Sequence, residues 1–186
     1  MNYGAIKKND IADGPGVRVS LFVSGCRHHC KNCFNKETWD FNYGKEFNQA
    51  VEDEIIEALR PTHINGFTLL GGEPFEPENR PTLMKLLSRI KKEFPDKTIW
   101  CYTGFDFEKN LILGTIGDKS TVDGMLENID VLVDGRFIEE QKNPVLLFRG
   151  SANQRIIDVK KSLKEKKAVW LDGVWERKVG SGNILE

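Results

Sequence analysis

The sequence predicts an α/β fold, because short apolar segments alternate with longer segments of helical periodicity along most of the chain. Three features predict it most directly: an apolar run at 17–23, a helical pattern at 48–59 and a second apolar run at 67–70. Strands separated by helices favour a mostly parallel sheet with crossover helices. In such folds ligands gather at the carboxyl ends of the strands, so a functional site is expected there.

The first predicted strand, Val17–Val23, runs directly into a loop that contains three cysteines. The helix at 48–59 cannot continue past Pro61, and its apolar face is formed by Val51, Ile55, Ala58 and Leu59. The next strand, 67–70, ends in the sequence Gly71-Gly72-Glu73-Pro74.

Predicted strands and helices continue to alternate in the middle of the chain. Pro81 occupies a plausible first helical position, and an amphipathic pattern follows it as far as Phe94. A third strand, Thr98–Tyr102, stops at Thr103-Gly104. The stretch 105–128 is predicted to be helical in short pieces, because three glycines interrupt it.

The last predicted strands are 129–133, which ends at Asp134-Gly135, and 155–159. We therefore predict one domain over residues 1–159, with residues 160–186 as a basic segment and β-hairpin that extend it. The hairpin turns at Asp172-Gly173 and pairs Trp170 with Trp175, either as a cover for a sheet edge or as a docking surface. The lysine run before it is interpreted as a solvated face.

The composition is that of an ordinary globular protein, with 39% hydrophobic and 30% charged residues in 186. Lys and Arg total 27 against 28 Asp and Glu, so no global positive field favours a nucleic-acid partner. The first residues lack the apolar stretch of a signal peptide, and no later run is long enough to span a bilayer. We expect a cytoplasmic protein with no membrane partner, whose cysteines stay reduced.

Cys26, Cys30 and Cys33 form the pattern C-x3-C-x2-C on one loop after a strand, so that three thiolates can converge on one metal centre. An ordinary four-iron cluster is closed by four cysteines, and a set of three leaves one iron open to another ligand.

The alternative is a Cys3His zinc site that uses His28 or His29 as its fourth ligand. Both histidines lie between the first two cysteines, which demands a tight chelate, and structural zinc sites more often have two separated ligand pairs. The fourth cysteine, Cys101, alternates with large apolar residues in a predicted strand, which favours a core position.

These residues resemble the radical S-adenosylmethionine (SAM) enzymes and, within them, the activating proteins of the anaerobic (class III) ribonucleoside-triphosphate reductases. The resemblance covers residues 1 to about 158. Its motifs are Asn2-Tyr3, Gly14-Pro15-Gly16 with Arg18, residues 21–35 with Thr38-Trp39, Gly71-Gly72-Glu73-Pro74, Trp100 with 102–104, 131–135, and 149–154.

The resemblance implies that Cys26, Cys30 and Cys33 bind three irons of a 4Fe-4S cluster, while SAM chelates the fourth iron. Reductive cleavage of SAM would then yield a radical that takes a hydrogen atom from a glycine of the reductase's catalytic subunit. A reduced flavodoxin-like protein is the implied electron donor. The implied fold is a compact, incomplete (β/α) barrel, open on the side where a partner loop can enter.

The resemblance also assigns positions around SAM. Gly71, Gly72 and Glu73 are expected to line its methionine end, with a carboxylate near the ammonium. Asn32 and Phe34 are expected to flank the adenosyl part beside Cys33. Asp134 either shapes the SAM or cation site or is an ordinary turn residue, and Asn153-Gln154 either orient SAM or satisfy a loop's backbone.

Two alternatives to the reductase activator stay open: an activator of a formate-lyase type enzyme, since Gly14-Pro15-Gly16 occurs there too, and a zinc-binding interaction module. The stretch 149–154 favours the reductase. The sequence departs from the family at Asn32, where glycine is usual, and in a tail beyond Val159 that is longer than expected.

Overall fold

A computed structural model describes residues 1–173, which form one seven-stranded sheet with the order β3-β1-β2-β4-β5-β6-β7. The four central strands, β2, β4, β5 and β6, are parallel, while β1, β3 and β7 run antiparallel to their neighbours. The strands are β1 Asn2–Asp10, β2 Val17–Val23, β3 Lys45–Glu46, β4 Ile64–Gly71, β5 Thr98–Tyr102, β6 Val131–Asp134 and β7 Arg155–Asp158.

Helices connect the parallel strands and cover one face of the sheet. They are α1 Gln49–Leu59, α2 Arg80–Glu93, α3 Lys119–Leu126 and α4 Val159–Glu165, with short 3-10 or π segments at Lys36–Trp39, Phe107–Ile112 and Glu139–Gln141. Asn48 caps α1 by accepting a hydrogen bond from Val51 N, and Asp118 caps α3 in the same way from Ser120 N. The buried faces of α1, α2 and α3 pack with the strands into the main hydrophobic core.

The opposite face of the sheet is more polar. Arg18 is fully buried there and donates hydrogen bonds to Thr68 Oγ1, Thr98 Oγ1 and three backbone carbonyls. Burial lowers the pKa of this guanidinium to about 10. A second apolar cluster around Trp100 packs on the same face. This face and the adjacent strand ends form the site described below.

The predicted strands Val17–Val23 and Thr98–Tyr102 are confirmed, and the helices predicted from 48 and 81 are present as α1 and α2. The stretch 105–128 is helical in two pieces, as predicted. The last strand, β7, is antiparallel to β6, because the segment between them contains only the 3-10 helix Glu139–Gln141 and no crossover helix that would return the chain to the edge where β6 begins. The strands β1 and β3 were not predicted, because charged residues hide their strand pattern.

The segment after β7 forms α4 and then pairs with β7 through Asp158 N to Val169 O and Leu171 N to Ile156 O, both 2.9 Å. Trp170 lies at this bridge, 46% exposed, under the guanidinium of Arg149. The second strand of the predicted hairpin and the predicted Trp170–Trp175 pair lie outside the described residues. Within 1–173, no helix combines the length and apolar character needed to span a bilayer.

Candidate metal centre

A cavity of about 660 Å³ opens at the carboxyl ends of β2, β4, β5 and β6. It brings together residues that are far apart in sequence, as the parallel topology requires. Its lining includes Cys26, Cys30, Cys33, Phe34, Gly71, Gly72, Glu73, Tyr102, Thr103, Gly104 and Gly135. The predicted placement of the motifs at strand ends is therefore confirmed.

The glycine turn after β4 packs directly against the start of the cysteine loop. Gly72 N donates to Val23 O at 2.7 Å, and Glu73 N donates to Gly25 O at 2.8 Å. A Cβ at Gly72 would lie 2.6 Å from Gly25 O, and Gly71 has a φ of +105°. These positions need glycine because the two backbones approach too closely for a side chain.

The three loop cysteines line one wall of the cavity, with Cys26 buried and the other two half-buried. Burial raises the pKa of the Cys26 thiol to about 12 and also raises the pKa of Cys30. Deprotonation of such thiols is favoured when a metal ion replaces the proton. Cys101 lies in the hydrophobic core, where burial raises its pKa well above the ordinary value, so its predicted core position is confirmed.

Both histidines of the loop are engaged away from the sulfur atoms. His28 Nε2 lies 3.0 Å from Glu73 Oε2, and the His29 ring stacks on Trp39 at 4.6 Å. No three cysteine or histidine ligand atoms within residues 1–173 lie within 4.8 Å of one another. A tetrahedral zinc with sulfur ligands needs spacings of about 3.8 Å. In a 4Fe-4S cluster each cysteine binds a different iron, so the three sulfur atoms need not lie this close together.

Glu73 is 1% exposed and both of its carboxylate oxygens are hydrogen-bonded. Oε1 accepts from Phe75 N at 2.9 Å and Thr103 Oγ1 at 2.8 Å, while Oε2 accepts from Gly104 N at 2.7 Å and His28 Nε2. Four donors match the acceptor capacity of an ionised carboxylate. Glu73 therefore brings a negative charge to the cavity wall and ties three segments together.

The two residues predicted beside the adenosyl part of SAM are placed differently. Phe34 lines the rim of the cavity, 65% exposed, with its ring 5.1 Å from that of Phe137. Asn32 has a φ of +56°, in the left-handed region that glycine and asparagine tolerate best. The asparagine at this position is therefore compatible with the backbone conformation of the loop.

Asp134 ends β6 with its carboxylate engaged by the protein rather than facing the cavity. It accepts from Arg155 at 3.0 and 2.5 Å and from Phe107 N at 2.8 Å. Its neighbour Gly135 forms that part of the cavity wall. Carboxylate oxygens of Asp134, Asp106 and Glu108 lie within 4.8 Å of one another. The Arg155 guanidinium forms ion pairs with all three residues.

Gln154 completes the wall next to Gly135. Its Oε1 accepts from Gly150 N and Ser151 N, and its Nε2 donates to Gly135 O. Of the two predicted roles for this residue, the structure therefore displays the satisfaction of a loop's backbone groups.

Asp13 was missed by sequence analysis although it lines the same cavity. Burial and the neighbouring Asp10 raise the pKa of its carboxyl to about 7. It directly precedes the Gly14-Pro15-Gly16 motif, and this adjacency was the available signal.

An α/β sheet whose strand ends carry three cysteines on one cavity wall defines a class of iron–sulfur proteins. The family model described as a 4Fe-4S single cluster domain matches residues 12–157. The chain belongs to the family of anaerobic ribonucleoside-triphosphate reductase-activating proteins.

Three relatives with that name illustrate the match. The Vibrio cholerae serotype O1 protein is 45% identical over 158 residues, covering 84% of this chain and 97% of the relative. The Escherichia coli K12 protein is 43% identical over 156 residues, covering 83% and 96%. The Enterobacteria phage T4 protein is 38% identical over 178 residues, covering 95% and 99%, so this similarity extends beyond Val159.

Proposed function

We propose that this chain is a radical SAM activating enzyme that generates a glycyl radical on the catalytic subunit of an anaerobic ribonucleoside-triphosphate reductase. The observation that carries the proposal is one cavity shared by three cysteines and the Gly71-Gly72-Glu73 turn. The choice of partner is supported by the relatives, which are named for activating this reductase.

In this proposal Cys26, Cys30 and Cys33 each hold one iron of a 4Fe-4S cluster, and the iron without a protein sulfur is the place where SAM binds. The reduced cluster and SAM, when bound, supply the electron and the hydrogen-abstracting chemistry. The protein's own contribution is to position both groups and to keep water away from them.

The turn after β4 would hold the methionine end of SAM. Gly71 and Gly72 line the cavity, and the absence of their side chains lets this turn pack directly against the start of the cysteine loop. The ionised Glu73 attracts an ammonium group by charge, although its oxygens are already hydrogen-bonded to the protein. Asp134 would act indirectly, by fixing Gly135 in the cavity wall.

The adenosyl part would lie against the aromatic rim. Phe34 is the exposed aromatic residue directly beside Cys33, and Asn32 shapes the loop through its left-handed backbone. Apolar side chains form much of the remaining wall and would limit the access of water; they are Phe22, Leu70, Phe137, Leu146 and Phe148.

The finer architecture belongs to the same proposal. The open sheet is interpreted as an incomplete (β/α) barrel, with residues 1–159 as the radical SAM domain and 160–186 as an extension of it. The open side of the cavity would admit a glycine-containing loop of the reductase. A reduced flavodoxin-like protein in the cytoplasm would supply electrons.

The decisive experiment is anaerobic reconstitution followed by reduction in the presence of SAM and the reductase. We expect about four irons and four sulfides per chain, formation of 5′-deoxyadenosine, and a glycyl radical signal in the reductase by electron paramagnetic resonance (EPR). Cys26→Ser, Cys30→Ser and Cys33→Ser should each abolish all product. Cys101→Ala, a buried cysteine outside the cavity lining, is the matched control and should retain the cluster.

Two results would contradict the proposal at different levels. A colourless protein that contains zinc but no iron or sulfide would overturn the radical chemistry. Formation of 5′-deoxyadenosine without a radical in the reductase would keep the chemistry but reject the partner, and a formate-lyase type enzyme would then be tested in its place.

A further inference from the structure

His28 occupies a slot that fits its imidazole closely, although it belongs to the loop that carries the cysteines. Its side chain is 6% exposed, and its ring packs edge-on against Phe105 with centroids 4.5 Å apart. A Cβ at Gly104 would lie 2.4 Å from His28 Cδ2, so a larger residue at position 104 would collide with the ring. The slot is therefore built around this side chain.

The floor of the slot is the Glu73 carboxylate, 3.0 Å from His28 Nε2. Because a carboxylate oxygen only accepts, Nε2 carries the proton and donates. The other three donors to Glu73 come from Phe75, Thr103 and Gly104, which follow β4 and β5. Through the Glu73 carboxylate, the His28 hydrogen bond thus connects the middle of the cysteine loop to the segments that follow β4 and β5.

The backbone of His28 lies midway between two of the three cysteines of the same loop. Cys26 precedes it by two residues and Cys30 follows it by two residues. Hydrogen bonds to the sulfur ligands of an iron–sulfur cluster help to set its reduction potential. A displacement of the His28 side chain would move the backbone that carries Cys26 and Cys30, and with it the surroundings of both sulfur atoms.

We propose that His28 is a positioning residue for the cluster: its hydrogen bond to Glu73 fixes the 26–30 segment so that the Cys26 and Cys30 sulfur atoms keep their places. The proposal rests on the proposed function in one respect, that the three cysteines bind a cluster. It requires neither SAM nor the reductase, so it is tested without them.

The test compares His28→Leu, which keeps the bulk but removes the donor, with His28→Gln, whose amide N–H reaches a position similar to that of Nε2. His63→Leu is the matched control, because His63 is an exposed histidine that contacts Asn9 at 3.4 Å. Gly104→Ala serves as a second disturbance, since it displaces the ring without changing His28. The reconstituted proteins are assayed for iron release to a chelator and for the EPR-monitored midpoint potential.

We expect H28L to release iron about tenfold faster than the wild type, as the loss of a residue that orients a metal ligand typically does. Its midpoint potential should also shift, because the surroundings of the sulfur ligands on either side of residue 28 change. H28Q should recover most of both properties, G104A should shift both in the same direction as H28L, and H63L should match the wild type.

The outcomes separate this proposal from the proposed function. A wild-type protein that binds no cluster overturns both. A wild-type cluster together with unchanged iron release and potential in H28L, or an H28Q as impaired as H28L, overturns the role of His28 alone. Circular dichroism of metal-free H28L checks that the variant folds. If it does not fold, G104A becomes the test, and unchanged iron release and midpoint potential in G104A would overturn the positioning role of His28.

Discussion

Glu73 and Asp134 are equally buried, each 1% exposed, and each lies at the end of a parallel strand, yet they meet opposite partners. Glu73 accepts hydrogen bonds from four donors that include no arginine or lysine, and it lines the cavity. Asp134 is paired with the Arg155 guanidinium behind the cavity wall. Asp134 is therefore neutralised by a permanently charged arginine, whereas Glu73 is held by neutral donors and a histidine. Partner charge, rather than burial or strand position, distinguishes the cavity-facing carboxylate from the structural one.

The largest expected effect comes from removing the arginine that neutralises Asp134. In Arg155→Met, Asp134 loses its cation and remains buried near Asp106 and Glu108. We expect the free energy of unfolding to fall by about 3 kcal/mol, as for other buried pairs that lose one partner. Urea denaturation under anaerobic, reducing conditions measures this loss.

The double variant Asp134→Asn with Arg155→Met is the control, because it removes the stranded charge while asparagine can still accept from Phe107 N. Most of the lost stability should return. If R155M alone were as stable as the wild type, the contrast between the two carboxylates would be wrong.

The sequence predicted the residues of the site better than it predicted the difference between Glu73 and Asp134. The cysteine spacing, the buried strands β2 and β5 and the glycine turn are local patterns, and each was predicted before the structure was known. The partners of a carboxylate are not local: His28 lies 45 residues before Glu73, and Arg155 lies 21 residues after Asp134. Glu73 was therefore predicted as a cofactor residue and Asp134 as either a cofactor-site residue or an ordinary turn residue, and only the packed chain distinguishes them.

The second prediction concerns SAM binding and compares two identical chemical changes. Glu73→Gln should weaken SAM binding to the reconstituted protein about tenfold, because one attractive charge near the ammonium is removed. Asp134→Asn should leave the affinity within about twofold, because its charge is already neutralised by Arg155. Anaerobic equilibrium dialysis at equal iron content measures both. A tenfold loss in D134N would restore its predicted role in direct SAM binding.

Asp13 is a third carboxylate for this comparison. It lines the cavity, and Lys7 Nζ lies 3.9 Å from its Oδ2. Burial raises the pKa of this carboxyl from 3.8 to about 7, so the folded state binds a proton more tightly than the unfolded state. Its contribution to stability is complete below pH 3.8 and is lost as pH rises through about 7. Asp13→Asn should therefore be more stable than the wild type at pH 8, by about 1 kcal/mol, and not at pH 4. Equal unfolding midpoints of the two proteins at pH 8 would contradict the assignment.

The smallest effect is expected at the outer edge of the Arg155 network, where Glu108 accepts from Arg155 at 2.7 Å and from Ala168 N at 2.8 Å. Burial opposes ionisation there, but these hydrogen bonds dominate and lower the pKa of Glu108 from 4.5 to about 2. A lowered pKa contributes stability above pH 4.5 that is lost as pH falls through about 2.

Glu108→Gln should lower the free energy of unfolding by less than about 1 kcal/mol at pH 6, because the side chain is one-third exposed and Arg155 stays paired with Asp134. Melting temperatures of the two proteins should converge as the pH approaches 2. A difference that persists to pH 2 would mean that Glu108 stabilises the fold by packing rather than by its charge, and the Arg155 network would then depend on Asp134 alone.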